Sequence, residues 1–248
     1  MGEGKGRRVV ITVGGGSLSH MLGEEVRRKG LPCDVVVDPS ATERKTPDAP
    51  TRISVILARG ATGEIRTYPA AENLYEDGLL RTTIVPGRFD AALAQAADAA
   101  AREAVKGVEG AGVFGVEMTP DAKNVVVVPG VHNTGHYTIE ACRTSQYEQH
   151  VRAVSGVELG ETTLLYAAVT IKLYGAPGMQ GPYVLEGLDG VRSIPGVTVH
   201  LYGAKETAPR RVLGHVTLVG VSHPAYRETL IHRADTVRKM IILKESKR

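Results

Sequence analysis

Long apolar runs, cysteines and a strong charge bias are what this chain has least of. No uninterrupted apolar stretch approaches the roughly twenty residues needed to cross a bilayer, so a membrane-spanning role is not expected. The two cysteines, Cys33 and Cys142, lie far apart in sequence. They fit a reducing cytoplasm and offer no pair at the short repeats of a structural zinc site. A net charge of +3 over 248 residues is too small to argue for nucleic acid as a partner. The first eight residues are basic but run straight into a short strand, without the apolar core and cleavage site of a signal peptide. What remains is an ordinary globular composition, 42% hydrophobic and 23% charged, long enough for two modest domains and expected in the cytoplasm.

Against this background one segment stands out. His132-Asn133-Thr134-Gly135-His136-Tyr137-Thr138-Ile139-Glu140-Ala141-Cys142, continuing through Ser145-Gln146-Tyr147-Glu148-Gln149-His150, packs histidines, glutamates, an asparagine and a cysteine into nineteen residues. The run Val125-Val126-Val127-Val128 before it reads as a buried strand stopped by Pro129-Gly130, and apolar residues at helical spacing follow it. The cluster thus falls where a strand gives way to a helix, a junction whose free backbone N–H groups suit an anion. A metal is the other chemical idea, but the spacing of His132, His136, Cys142 and His150 fits no closed zinc pattern. Histidines that cap or buttress the turn are the plain alternative, above all for His150.

Elsewhere, Val9 to Val13 reads as a strand, Gly14-Gly15-Gly16 as a tight turn, Leu18 to Lys29 as an amphipathic helix and Val35 to Val37 as a second strand, forming a β-α-β unit. The triple glycine could cradle a phosphate or simply allow helix packing; it lacks the full dinucleotide fingerprint. Residues 39–52 are polar with three prolines and read as a linker. Strands are expected at about 53–58, 64–69, 113–118, 124–128 and 164–174, with an Ala-rich helix from about 90 to 106 and the signature helix from about 137 to 154. A Gly/Pro-rich loop over 175–187 then leads to a β-rich piece and a helix opening at Ser222-His223-Pro224. The charged tail from Lys244 to Arg248 reads as a frayed end.

The signature resembles that of 5-(carboxyamino)imidazole ribonucleotide synthetase, an ATP-grasp family of purine biosynthesis. Other blocks in the same order share the resemblance: Gly14-Gly15-Gly16-Ser17-Leu18 with Val35 to Pro39, Ile53 to Gly60, Arg66-Thr67-Tyr68-Pro69 with Glu72-Asn73 and Asp77 to Arg81, and Lys205-Glu206 with Pro209, Arg211 and Gly214-His215-Val216. It implies an α/β fold with a Rossmann-like N-terminal unit (1–40), a linker (41–52), the second half of an ATP-grasp domain (53–175) and a small β-rich C-terminal domain with a terminal helix (176–248). The implied cofactors are ATP and Mg2+, and the implied substrate is aminoimidazole ribonucleotide. By the same resemblance His132, Asn133 and His136 are catalytic, Lys205 and Arg211 hold the substrate phosphate, Gly14, Gly15 and Gly16 form a phosphate loop, and Glu117 is a Mg2+ ligand. Lys205, Arg210 and Arg211 could equally be a solvated basic turn.

The departures are as informative. The resemblance jumps from the Val35–Pro39 block to the Ile53 block, which implies a shortened, divergent member without the first ATP-grasp subdomain or the adenine hinge. The family's second magnesium carboxylate falls in the valine run 125–128, and valine offers a metal no oxygen. Its arginine falls at Gly130. The expectation is a relative without self-sufficient ATP chemistry that retains ribonucleotide or anion binding. Two other readings stay open: a synthetase completed by a partner chain, and an interaction module, such as a homo-oligomer, using an exposed half-cleft.

Overall fold

In the computed structural model, residues 9–14, 21–24, 28, 33–38, 50–121, 124–221 and 224–246 are described. Near the N-terminus β1 (Val9–Gly14) and β2 (Cys33–Asp38) pair in parallel, and residues 21–24 are helical. Of the triple glycine, Gly14 closes β1, while Gly15 and Gly16 lie outside the described residues.

The body is a nine-stranded sheet. Its strands are β3 (Thr51–Arg59), β4 (Ile65–Thr67), β5 (Ala71–Glu76), β6 (Leu79–Val85), β7 (Gly112–Met118), β8 (Val126–Pro129), β9 (Ala167–Tyr174), β11 (Val197–Leu201) and β13 (Val212–Gly220). Their order is β11-β13-β9-β6-β5-β3-β7-β8, with β4 also on β3, and every pairing is antiparallel. The sheet runs unbroken across position 175: β9 is bonded to β6 on one edge and to β13 on the other.

Successive side chains of a strand face opposite ways, and here the two faces differ in chemistry. One face carries Ile53, Val55, Ile84, Val116, Met118, Val169, Ile171, Val216 and Leu218, all buried. Helix α1 (Ala91–Ala104), capped by the Asp90 carboxylate on Leu93 N–H, packs Ala97 and Ala101 on β3 and β7. Helix α5 (Pro224–Met240) packs Leu230, Ala234 and Val237 on β9 and β13. The other face carries Arg52, Ser54, Asn73, Thr83, Glu117, Thr170, Lys172, His215 and Thr217, buried and polar. Several are hydrogen-bonded side by side, Asn73 Nδ2 to Ser54 Oγ at 2.8 Å, Thr83 Oγ1 to Asn73 Oδ1 at 2.9 Å and Thr170 to Thr217 at 3.1 Å. The pairing register places these residues in rows across the sheet.

Three expectations change. The helix expected over 137–154 is broken: a 3-10 turn (Asn133–Gly135) leads to α2 (Thr138–Ala141), the chain becomes extended at Cys142, which bridges to Leu164, and α3 (Gln146–Val154) starts afresh on a Ser145 cap. The expected loop 175–187 contains β10 (Gly181–Glu186), and the first two residues of the expected frayed tail, Lys244 and Glu245, lie in β14 (Ile242–Glu245), while 247–248 lie outside the described residues. These two strands pair with each other, Tyr183, Leu185 and Leu243 pack on the neighbouring core, and Lys244 meets Glu186 at 2.7 Å. Partners distant in sequence, supplying both hydrogen bonds and apolar contacts, turn polar-looking segments into strands. The remaining elements, β12 (Glu206–Thr207), paired to β10, and α4 (Leu188–Arg192), complete the C-terminal part.

Candidate functional site

The signature segment lies over the polar face of the sheet, and its path is set by three side chains. Gln146 clasps the backbone of His132 from both sides, accepting from its N–H at 2.9 Å and donating to its carbonyl at 2.8 Å. Thr138 Oγ1 accepts from Gln146 N–H at 2.9 Å and donates to Gly135 C=O at 2.7 Å. His132 caps the 3-10 turn, its Nδ1 facing Thr134 N–H at 3.4 Å and Thr134 Oγ1 at 2.9 Å. The imidazole can lie against β7 because residue 115 is glycine; a Cβ there would fall 2.5 Å from His132 Cγ.

From this turn His136 enters the interior and meets the sheet. Its ring is buried, with Nδ1 at 2.8 Å from Tyr147 Oη and Nε2 at 3.2 Å from Tyr202 Oη and 3.3 Å from Asn133 Oδ1. It stacks on His215, centroids 4.2 Å apart, and His215 stacks in turn on His200 at 4.6 Å. Tyr202 Oη also lies 2.6 Å from His215 Nδ1. The outer ring, His200, places Nε2 2.6 Å from Glu140 Oε1. Lys172 stands in the row of His215 and His200 and donates from Nζ to Asn133 Oδ1 at 2.9 Å and to Tyr202 Oη at 3.4 Å.

The two inner rings of this cluster carry no charge. Burial, followed by the nearby Lys172 ammonium, holds His136 and His215 well below the usual imidazole range, so both rings are neutral at pH 7. The array therefore presents one buried ammonium, neutral imidazoles and an amide. His215 Nε2, fully buried, has no hydrogen-bond partner among the described residues. Such a set can donate charge-assisted hydrogen bonds to an anion.

The expected site residues are distributed as follows. Asn133 and His136 meet in the cluster, and His132 stands beside them, its Nε2 3.9 Å from Glu117 Oε1. Lys205 and Arg211 are exposed on the segments flanking β12; Arg211 donates to Glu206 C=O at 2.9 Å, and neither hydrogen-bonds to the histidine cluster. His150 buttresses β7, its Nδ1 accepting from Val113 N–H at 3.1 Å, and burial lowers its pKa to about 4. Cys142 is buried and its thiol is pushed up to about 12 by desolvation. Among the described residues no three His, Cys, Asp or Glu side chains gather as a metal site. Lys172, His200 and Tyr202 were not among the expected site residues. The signal for two of the strands concerned lies in alternation, Thr170 and Lys172 against Val169, Ile171 and Leu173, and His215 and Thr217 against Val216 and Leu218.

Glu117, the expected magnesium ligand, lies in an ion pair. It is 1% exposed, and Arg52 Nε lies 3.3 Å from its Oε2. Its Oε1 accepts from Tyr75 Oη at 2.8 Å. The register sets Val126 of β8 directly opposite it on one side and Ser54 of β3 on the other.

Residues 48–147 match the ATP-grasp domain, and over this stretch the chain resembles proteins of that class. Within that class its particular likeness is to the N5-carboxyaminoimidazole ribonucleotide synthetases, and residues 169–229 match the phosphoribosylaminoimidazole carboxylase C-terminal domain. It is 37% identical over 178 residues to phosphoribosylaminoimidazole carboxylase of Schizosaccharomyces pombe, covering 68% of this chain and 32% of that protein. Against N5-carboxyaminoimidazole ribonucleotide synthase of Synechococcus elongatus it is 35% identical over 170 residues, covering 67% and 43%. The crystal structure of the Thermotoga maritima synthetase matches with a TM-score of 0.70 and 37% identity, over 79% of this chain and 53% of that one. The Aspergillus clavatus synthase in complex with ADP and 5-aminoimidazole ribonucleotide matches with a TM-score of 0.64 and 28% identity, over 76% and 52%. The chain thus spans about a third to a half of the length of these curated relatives. No described helix is long and apolar enough to cross a membrane.

Proposed function

We propose that this chain is a purine-biosynthesis protein that binds aminoimidazole ribonucleotide or a closely similar anionic ligand on the polar face of its sheet, without carrying out ATP-dependent carboxylation by itself. The observation that carries this reading is the buried Lys172 ammonium, held on Asn133 Oδ1 beside the neutral His136 and His215 rings. A buried ammonium offers a negative ligand hydrogen bonds stronger than neutral donors can. In this reading Lys205 and Arg211 take the ligand's phosphate, as their exposure allows and as a monoester requires. Support for the family setting comes from the Aspergillus clavatus relative, whose complex holds ADP and 5-aminoimidazole ribonucleotide. The ATP side is the weaker half, because the one carboxylate that would face a metal, Glu117, is already paired with Arg52.

Calorimetry of the pure chain with aminoimidazole ribonucleotide, its dephosphorylated nucleoside, ATP and AMP tests the proposal. The ribonucleotide is expected to bind. Arg211→Ala should weaken it roughly tenfold or more while leaving the nucleoside unchanged, the share of a single charge-assisted phosphate contact. Lys172→Met should weaken both. Failure of the ribonucleotide to bind, or ATP hydrolysis by the chain alone with ribonucleotide and bicarbonate present, sinks it.

A further inference from the structure

The polar face holds a second charged group, separate from the Lys172 cluster, where β3, β7 and β8 run side by side. Glu117 lies in the middle of β7 with its carboxylate turned to this face, and a buried carboxylate is sustained only by a cation or a full set of donors. Tyr75 supplies one donor, at 2.8 Å. The cation is Arg52, from the first turnless stretch of β3, its Nε 3.3 Å from Oε2 and its side chain 1% exposed. Residues directly opposed in an antiparallel pair have Cβ atoms about 5 Å apart on the same face. The position facing Glu117 across β8 is therefore where a second carboxylate would have to stand to share a cation, and it is Val126. On the other flank Ser54 already receives the Asn73 amide.

We propose that Arg52 is a built-in counter-cation that replaces a divalent metal at Glu117. The electrostatics are self-consistent: one guanidinium and one carboxylate sum to zero, as do a divalent ion and two carboxylates. Changing one carboxylate to valine and the metal to arginine keeps this part of the face neutral. The substitution is also exclusive. A guanidinium does not lose its proton, and Arg52 cannot swing out to solvent as a surface side chain could, since its side chain is 1% exposed within the packed face. Mg2+ prefers about six oxygens in octahedral array, whereas the groups around Glu117 are the Arg52 guanidinium, the Tyr75 hydroxyl, the His132 imidazole with Nε2 at 3.9 Å, and the flanking Val126 and Ser54. The inference deepens the proposed function by giving the chemical reason its metal side is silent, and it rests on the family reading of Glu117 as a residue that faces a metal.

Mn2+ alone is the probe, followed by its paramagnetic resonance signal on the full chain. The wild-type chain and Glu117→Gln should bind it equally weakly at millimolar concentration. The double variant Arg52→Met, Val126→Glu frees one carboxylate and adds another beside it, and should bind Mn2+ at least about tenfold more tightly than wild type. Loss of Mn2+ affinity on Glu117→Gln in the wild-type background overturns the proposal, as does a folded double variant that gains none. Should the double variant not fold, the wild-type and Glu117→Gln chains are compared by thermal unfolding with and without Mn2+. Equal metal-induced shifts support the internal cation, and a shift seen only with Glu117 intact overturns it. Neither readout involves the ribonucleotide, so a failure here is distinct from a failure of ribonucleotide binding.

Discussion

Tyr202 holds more of the cluster than any one histidine does. Its hydroxyl lies within hydrogen-bond reach of His136 Nε2, His215 Nδ1 and Lys172 Nζ, three groups from three different parts of the chain. A hydroxyl can donate once and accept twice, so the Lys172 ammonium donates to it and the two imidazoles compete for its proton. Tyr202→Phe keeps the ring and removes this exchange, leaving buried nitrogens short of a partner. The expected cost is about 1–3 kcal/mol, read from urea unfolding midpoints; a variant as stable as wild type would mean that the hydroxyl is not what joins the rings. None of this was visible in the order of residues alone. Tyr202 and Lys172 are thirty positions apart and reach each other only because β13 separates β9 from β11 by a single strand.

At the scale of elements, the junction after β8 is the feature on which the site depends. The valine run and Pro129-Gly130 announce the end of a strand, and the signature residues were legible as a cluster from their density. The break at Cys142 was not, because it is imposed by a bridge to Leu164, more than twenty positions on, and no local pattern encodes it. The same holds for β10 and β14, whose pairing is non-local, whereas α1 was readable from its Asp90 start and its alanines. Gln146 links the new helix back to the turn, acting as a substitute strand partner for His132. Gln146→Leu would take the glutamine acceptor from the His132 N–H and leave its C=O the Gly135 N–H at 3.0 Å, with an expected loss of about 1–3 kcal/mol. It should also weaken anion binding, since His132 and Asn133 would lose their fixed placement; calorimetry on the folded variant checks this. Unchanged binding would show that the turn holds its shape without the clasp.

For the whole molecule, the buried imidazoles make stability depend on acid. His136, His215 and His150 are all kept neutral by burial, while in the unfolded chain each takes up a proton near its ordinary value of 6.5. The unfolded state therefore binds more protons on the acid side, and stability falls as pH drops below about 6.5. Each ring contributes at most about 1.4 kcal/mol per pH unit, and for His150 the loss continues down to about 4, where the folded ring titrates too. Denaturant midpoints between pH 8 and pH 5 should decline on the acid side; a flat profile would mean the rings are not sequestered as described. The α/β class and the presence of both matched regions were readable from ordered blocks of sequence, but their union in one sheet was not. That union is made by Thr82 to Val85 of β6 lying against Ala168 to Ile171 of β9. Because β9 is hydrogen-bonded along both edges, peeling the C-terminal part away would strip a central strand rather than an edge one. The two regions are thus bound to melt in a single cooperative step, and a nick in the 175–180 loop should leave the fragments associated.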